Sequence, residues 1–190
     1  MYHSVLSVLG FLVGAVAAVN FPFEEVQLTD DDVARNRALA FGDAERAFLA
    51  GAECRAFPGT VDWPPDAEWA YLRAAMGGAL LKPAPAAAAC YAGEFESRSQ
   101  CRYLLTDIDD SRFYLDDPLT VLTEWPQGNT CTLELNPRTA CTKGGFPEYV
   151  VNVSTTAHVQ MAVNFARNKN LRLVIKYVLQ DKRFPFLVPA

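Results

Sequence analysis

Cysteine and histidine are the residues of this chain best suited to covalent, metal or acid–base chemistry, and both are scarce. The 190 residues include two histidines, His3 and His158, which leaves little material for a Ser–His–Asp triad or a histidine-rich metal site. The cysteines form no CxxC pair, which argues against zinc. In an oxidising compartment five cysteines predict two disulfides and one leftover thiol, with the pairing left open; the candidates are Cys54, Cys90, Cys101, Cys131 and Cys141.

Other catalytic motifs are missing from the sequence. It contains neither a Walker loop nor a G-x-S-x-G turn. Asp109-Asp110 and Asp116-Asp117 are adjacent in sequence, which is more typical of polar turns than of a general acid and base facing each other. His158 is interpreted as a surface residue near the start of a helix. The sequence therefore predicts no catalytic, cofactor-binding or metal-binding residue.

Composition places the chain among folded proteins that do not bind nucleic acid. Hydrophobic residues make up 51% of the sequence and charged residues 21%, which is typical of a chain that buries a core. The net charge of −5 gives no support for nucleic-acid binding, although basic residues gather after Thr155.

The N-terminus predicts secretion. Residues 5–18 carry no charge and end in small residues, which is typical of a signal peptide over residues 1–18 cleaved after Ala18. A buried N-terminal helix or strand is the alternative, and the run is too short to span a membrane. In a secreted chain the sequon Asn152-Val-Ser154 is a possible N-glycosylation site, although its place in a predicted strand casts doubt on occupancy.

Two helices are predicted before a long connector. The first begins near Asp30, ends before Gly51 and has a packed face of Phe41, Ala44 and Phe48. The second begins at Asp66, buries Trp69, Leu72 and Met76, and stops at Gly77-Gly78. The stretch from Lys82 to Gly145 is predicted to be extended and irregular. Its aromatic residues either fasten this arm to a core or form a ligand surface: Tyr91, Phe95, Tyr103, Phe113, Tyr114 and Trp125.

The last third predicts a strand–helix–strand unit. The strands are residues 149–153 and a buried run at 171–175; the helix between them carries an apolar face of Val159, Ala162, Val163 and Ala166. The two strands are expected to be parallel, with a right-handed crossover. Such units bind nucleotides through a glycine-rich turn, and no glycine follows Gly145.

An ordered series of motifs over residues 30–176 resembles one protein family. Cys54-Arg-Ala-Phe-Pro-Gly-Thr-Val-Asp-Trp-Pro-Pro, ending at Trp69, is similar to the entry segment of secreted fungal FAD-linked oxidases of the vanillyl-alcohol-oxidase and berberine-bridge type. The run GALLKPAP with Cys90-Tyr91, and Asn129-Thr-Cys131, continue the pattern. Residues 149–176 resemble the opening strand–helix–strand unit of that family's PCMH-type FAD-binding domain.

The resemblance implies an α+β fold divided into four parts. These are a signal peptide (1–18), a helical, cysteine-rich arm (19–146), the start of the FAD-binding domain (147–176) and a divergent tail (177–190). Intact relatives are expected to oxidise an alcohol or sugar-like small molecule by hydride transfer to FAD, with O2 as reoxidant. After Lys176 this chain has no residue matching the family's flavin-attaching histidine, glycine-rich loop or catalytic base.

The expectation is therefore an extracellular N-terminal fragment, inactive as given, to which FAD does not bind tightly. Its unpaired strand edges are expected to favour self-association and weakly cooperative unfolding. The alternative is a secreted, disulfide-stabilised binding or effector-like module without catalysis.

Overall fold

The fold combines short helices with one small sheet. A computed structural model describes residues 22–42, 54–107, 117–119, 128, 130–134, 140–176 and 186–189. The predicted signal peptide lies outside the described residues. Within these ranges the α-helices are α1 (Asp30–Ala34), α2 (Asp66–Ala75), α3 (Arg98–Asp107) and α4 (Thr156–Asn168). Single 3-10 turns occupy Pro22–Glu25, Arg37–Leu39 and Ala86–Cys90.

The first helix is much shorter than predicted. Thr29 caps α1 in a reciprocal capping box with Asp32, and the hydrogen bonds from Thr29 lower the pKa of the Asp32 carboxyl. Asn36 then caps a separate 3-10 turn, so the chain leaves the helix after Ala34. The prediction that Phe41 lies on a packed helix face is wrong, since Phe41 is 85% exposed beyond that turn. Ala44 and Phe48 lie outside the described residues.

The second predicted helix is confirmed. Helix α2 follows Pro65 and ends at Met76, whose successors Gly77 and Gly78 both have positive φ. Trp69, Leu72 and Met76 are at most 2% exposed and belong to the main core. The Trp69 indole lies flat on the Tyr149 ring, with 3.9 Å between ring centroids, and donates a hydrogen bond to the Pro64 carbonyl.

The connector is more ordered than predicted. It contains α3, in a stretch predicted to be irregular, and the short strand β1 (Leu80–Leu81) lies directly before the connector. The helix sequence is strongly polar on average, and its buried face is narrow, with Cys101 and Leu104 three residues apart. The disulfide between Cys90 and Cys101 ties the helix to the 3-10 turn before it. A covalent contact that pattern reasoning could not assign thus holds α3 in place.

The sheet has four strands in the order β1-β2-β4-β3. Strand β2 is Val150–Asn152, β3 is Leu173–Lys176 and β4 is Phe186–Pro189. All three neighbouring pairs are antiparallel. Strands β2 and β3 therefore run in the same direction, as predicted, but they are not neighbours. Strand β4, from the divergent tail, lies between them and pairs with both.

Helix α4 buries most of the predicted apolar face, since Ala162 and Ala166 are buried and Val159 packs against the main core. Met161, Ala162, Phe165 and Ala166 are buried, whereas Val163, expected on the apolar face, is 36% exposed. The large side chains of Met161 and Phe165 thus rotate the buried face away from Val163. The second strand is also less buried than predicted, since Ile175 is 62% exposed.

Side chains of α4 hold the N-terminal arm through hydrogen bonds to its main-chain carbonyls. Gln160, Asn164 and Asn168, spaced four residues apart, form one stripe that we call the amide ladder. Gln160 Nε2 donates to the Val26 carbonyl and Asn164 Nδ2 to the Leu39 carbonyl, at 2.6 and 2.9 Å. Asn168 Nδ2 donates to the carbonyls of Ala38 and Ala40, each at 2.9 Å.

None of the helices in the part of the chain that the structure describes is long and apolar enough to cross a membrane.

Candidate functional site

The turn between β2 and α4 is where a nucleotide-binding strand–helix–strand unit would meet its ligand. Thr155 is the N-cap of α4, and its hydroxyl accepts a hydrogen bond from the His158 backbone N–H. The Ser154 backbone N–H donates to Nδ1 of the His158 ring at 3.3 Å, and the Ser154 hydroxyl lies 3.2 Å from the same atom. His158 is therefore a helix-start residue that closes its own turn.

The polar groups of this turn therefore form hydrogen bonds with one another and with the start of α4. Side chains of the turn engage one helix N–H and the N–H of Ser154, and the residues there carry Cβ atoms where a phosphate cradle requires glycine. The turn can cap a helix, but its chemistry does not match a site for pyrophosphate.

A cavity of about 800 Å³ lies in the cysteine-rich arm. Residues of the segment 82–95 form one side, among them Ala88 of the 3-10 turn that the Cys90–Cys101 disulfide holds to α3. Residues 140–143 form the other side, held by the disulfide between Cys131 and Cys141. The Tyr91 hydroxyl joins the two sides by donating to the Thr132 carbonyl at 2.7 Å. The two disulfides thus frame the cavity.

The cavity lining is mostly apolar, with two ammonium groups. Pro83, Pro85, Tyr91 and Phe95 contribute apolar surface. The ammonium groups belong to Lys82 and Lys143, and the Glu148 carboxylate pairs with both, at 3.2 and 3.3 Å. The Glu94 carboxylate also lines the cavity, so two ammonium groups and two carboxylates lie in or beside it.

The surroundings of two residues beside the cavity, Lys82 and Tyr149, raise their pKa values. The hydrogen bond to Glu148 raises the pKa of the Lys82 ammonium, which also lies 5.5 Å from the centre of the Tyr149 ring. Burial raises the pKa of the Tyr149 hydroxyl. The two ion pairs that share Glu148 were not predictable from the sequence, because Lys82 and Glu148 are far apart in the chain and no local pattern joins them.

The structure places the other predicted residues as follows. The two disulfides leave Cys54 as a free, exposed thiol, in agreement with the predicted count. Of the connector aromatics, Tyr91 is buried and acts as an anchor, whereas Phe95 and Tyr103 are 54% and 57% exposed.

Within the described ranges, no cluster of three histidine, cysteine or acidic residues could hold a metal ion. The paired aspartates lie outside those ranges except for Asp117, whose backbone carbonyl accepts a hydrogen bond from the buried Lys176 ammonium.

Comparison with known proteins then identifies the family. The chain is 34% identical over 138 residues to an FAD-linked oxidoreductase of Gibberella fujikuroi, covering 72% of this chain. It is 35% identical over 132 residues to a VAO-type flavoprotein oxidase of Thermothelomyces thermophilus. The chain belongs to the family of VAO-type FAD-linked oxidoreductases. A bifunctional decalin synthase of Penicillium decumbens is a further relative, 32% identical over 132 residues.

Solved structures agree with this assignment. The chain superposes on two VAO-type flavoproteins of Myceliophthora thermophila with TM-scores of 0.57 and 0.56 and 32% sequence identity. Each match covers 63% of this chain. No family model matches the sequence. The chain spans about a quarter of the length of these relatives, because the aligned parts make up 21–23% of each.

Proposed function

We propose that residues 30–176 form the N-terminal arm and the opening strand–helix–strand unit of the FAD-binding domain of a VAO-type oxidase. The identity of more than 30% to FAD-linked oxidoreductases over about 70% of the chain carries this proposal. The intact protein would oxidise an alcohol or sugar-like small molecule by hydride transfer to FAD, with O2 as reoxidant. Residues 147–176 would supply the start of the domain, and the residues from 30 to 146 would belong to the arm.

We further propose that the 190-residue chain by itself does not hold FAD tightly. The strand–helix turn has its own capping partners and no glycine, and the second histidine of the chain, His158, is part of that cap. The residues present therefore do not fit a flavin pyrophosphate or a covalent flavin link, and no catalytic step is assigned to them.

Absorbance and thermal unfolding test this second proposal. The purified full chain is expected to be colourless, and added FAD is expected to leave its melting temperature unchanged, since a ligand bound to the native state would raise it. Free flavin mononucleotide serves as the control for non-specific flavin effects. A yellow preparation that keeps its flavin after denaturation would overturn the proposal.

The chain is also proposed to be extracellular. The uncharged run at residues 5–18 and the two disulfides support this location. N-terminal sequencing of the product from a fungal culture medium is expected to begin near Val19. Recovery of an intact Met1 on an intracellular product would contradict both the signal peptide and the secretory location.

A second candidate function is a non-catalytic, disulfide-stabilised binding module, which the framed apolar cavity favours. In that case anilinonaphthalene sulfonate, an anionic dye whose aromatic rings bind apolar sites, should bind the native chain, and Phe95→Ser should weaken its binding. Tyr103→Ser is the matched control, because Tyr103 is equally exposed and does not line the cavity. Equal dye binding by both variants and the parent chain would remove this candidate.

A further inference from the structure

The sequon at the end of β2 is a feature that the proposed oxidase function does not use. Asn152-Val153-Ser154 is the sole N-x-S/T triplet in the sequence. Val151 and Val153 on either side are buried, at 0% and 2% exposure, and belong to the main core with α4. Because successive strand residues point to opposite faces, the side chain of Asn152 points away from that core.

The opposite face of the sheet is covered only in part. Val150 shares this face with Asn152 and is fully buried by Leu119, Phe146 and Val174. Two residues further along the strand, Asn152 is exposed. The cover therefore ends between these two positions, and the space beyond Asn152 is open to solvent.

The pairing of β2 leaves the Asn152 side chain available. Its backbone N–H donates to the Ala79 carbonyl at 2.9 Å, and its backbone is in register with Phe186 of β4. Among the described residues its side-chain amide has no hydrogen-bond partner. Ser154, the third residue of the triplet, is also exposed. A place within a strand thus restrains the backbone of this sequon without burying the atom that would be modified.

We propose that Asn152 carries an N-linked glycan. The bond that forms joins Nδ2 of Asn152 to C1 of the first sugar of a lipid-pyrophosphate-linked oligosaccharide. The bond that breaks joins that C1 to the pyrophosphate oxygen, the lipid pyrophosphate leaves, and the amide loses one proton. The transfer requires the secretory location proposed above and is independent of flavin binding. Placement in a strand cast doubt on glycan occupancy, but the Asn152 side chain is exposed although its backbone is paired.

The test uses the full chain, including residues 1–18, expressed in a yeast that glycosylates secreted proteins. Intact-mass spectra are recorded before and after treatment with peptide N-glycosidase F, which removes the glycan and converts the linked asparagine to aspartate. The parent chain should lose the glycan mass and show the conversion at residue 152. Asn152→Gln and Ser154→Ala should both abolish the glycan, whereas Ser154→Thr should retain it.

A designed sequon separates an inaccessible site from a failure of secretion. Gln27→Asn completes an N-x-T triplet with Leu28 and Thr29 in an exposed part of the arm, and is placed in the Asn152→Gln background. Glycan on this variant but not on the parent chain would overturn the proposal, because the transferase would then have met the chain and passed over Asn152. Absence of glycan from both chains would overturn it as well, since the chain would then not reach the transferase.

Discussion

The amide ladder shows how single polar residues fix the arm of this molecule. Asn164 is only 8% exposed, yet its side chain reaches the main chain of the arm instead of the core. Its hydrogen bond goes to a carbonyl beside the buried Leu39 side chain, which is 1% exposed. Because the ladder contacts carbonyl oxygens alone, it holds the arm by its backbone and places few demands on the arm's sequence.

Replacing Asn164 by leucine is expected to destabilise the fold by about 1–3 kcal/mol, because the Leu39 carbonyl would lose its donor while remaining covered. Leucine matches asparagine in the number and branching of its side-chain heavy atoms and has a good helix propensity, so the loss reports mainly the hydrogen bond. Urea unfolding measures the change. Val163→Ala, at an exposed neighbouring position of α4, should change stability by less than about 0.5 kcal/mol. Equal stabilities of the two variants would contradict a stabilising role for the ladder.

Gly42 is predicted to be coupled to the ladder. A Cβ atom built at Gly42 would overlap Asn168 Oδ1, so Gly42→Ala must displace the amide that holds Ala38 and Ala40. The expected cost is about 1–2 kcal/mol. In an Asn168→Ala background the obstacle is gone, so the same substitution should cost much less. A double-mutant cycle by urea unfolding measures this difference, and additive effects would show that the two residues are independent.

At the scale of elements, local patterns succeed where local forces decide the structure. Helix α2 was predictable because Pro65, the periodic apolar residues and Gly77-Gly78 all indicate the same bounds. The first helix was overestimated because Asn36 offers the chain a second cap, which competes with helix continuation. Helix α3 was missed because its main restraint is a disulfide. The tail after Lys176 was expected to be poorly ordered or loosely added as a strand, and the place of β4 in the sheet was not predictable because pairing with distant strands defines it.

In the candidate site, too, local contacts were predictable from the sequence and long-range contacts were not. The role of His158 at a helix start was visible in sequence, because helix N-termini have recognisable capping residues. The cavity was not, because its walls come from segments about fifty residues apart that two disulfides and the Tyr91 hydrogen bond bring together. Such contacts depend on chain topology, which composition and spacing do not specify.

The two disulfides are expected to stabilise the cysteine-rich arm more than the strand–helix–strand unit. Each closes a short loop, with a sequence separation of 11 or 10 between its cysteines, so each should contribute about 2–3 kcal/mol. Replacing Cys131 and Cys141 together by serine should therefore expose amides around residues 130–143 to hydrogen exchange while α4 stays protected. Cys54→Ser, which removes the free thiol, is the control. Equal loss of protection in α4 would show that the two parts unfold as one unit.

At the scale of the whole molecule, β4 changes the expectation of an open half-sheet. It pairs with β2 on one side and β3 on the other, so it connects the two strands that α4 joins. The remaining edges are β1, which is two residues long, and β3, whose start is flanked by a parallel bridge between Ala56 and Leu171. A short edge and a partly covered edge both limit pairing with other chains. The predicted self-association therefore depends on whether β4 stays in its place.

Leu187→Pro tests that dependence. Leu187 is in register with Val151 of β2 and Ile175 of β3, and proline there removes a backbone donor from the middle of the sheet. We expect the free energy of unfolding to fall by about 2 kcal/mol or more, with a broader thermal transition and a rise in oligomers, measured by calorimetry and size-exclusion chromatography with light scattering.

Val61→Pro is the matched control. Val61 is 97% exposed and follows Thr60 in a turn closed by a hydrogen bond from Trp63 to Thr60, where proline is well tolerated. If both proline variants remain cooperative monomers, β4 does not close the sheet. If the parent chain already associates as strongly as Leu187→Pro, β4 does not protect the strands from other copies.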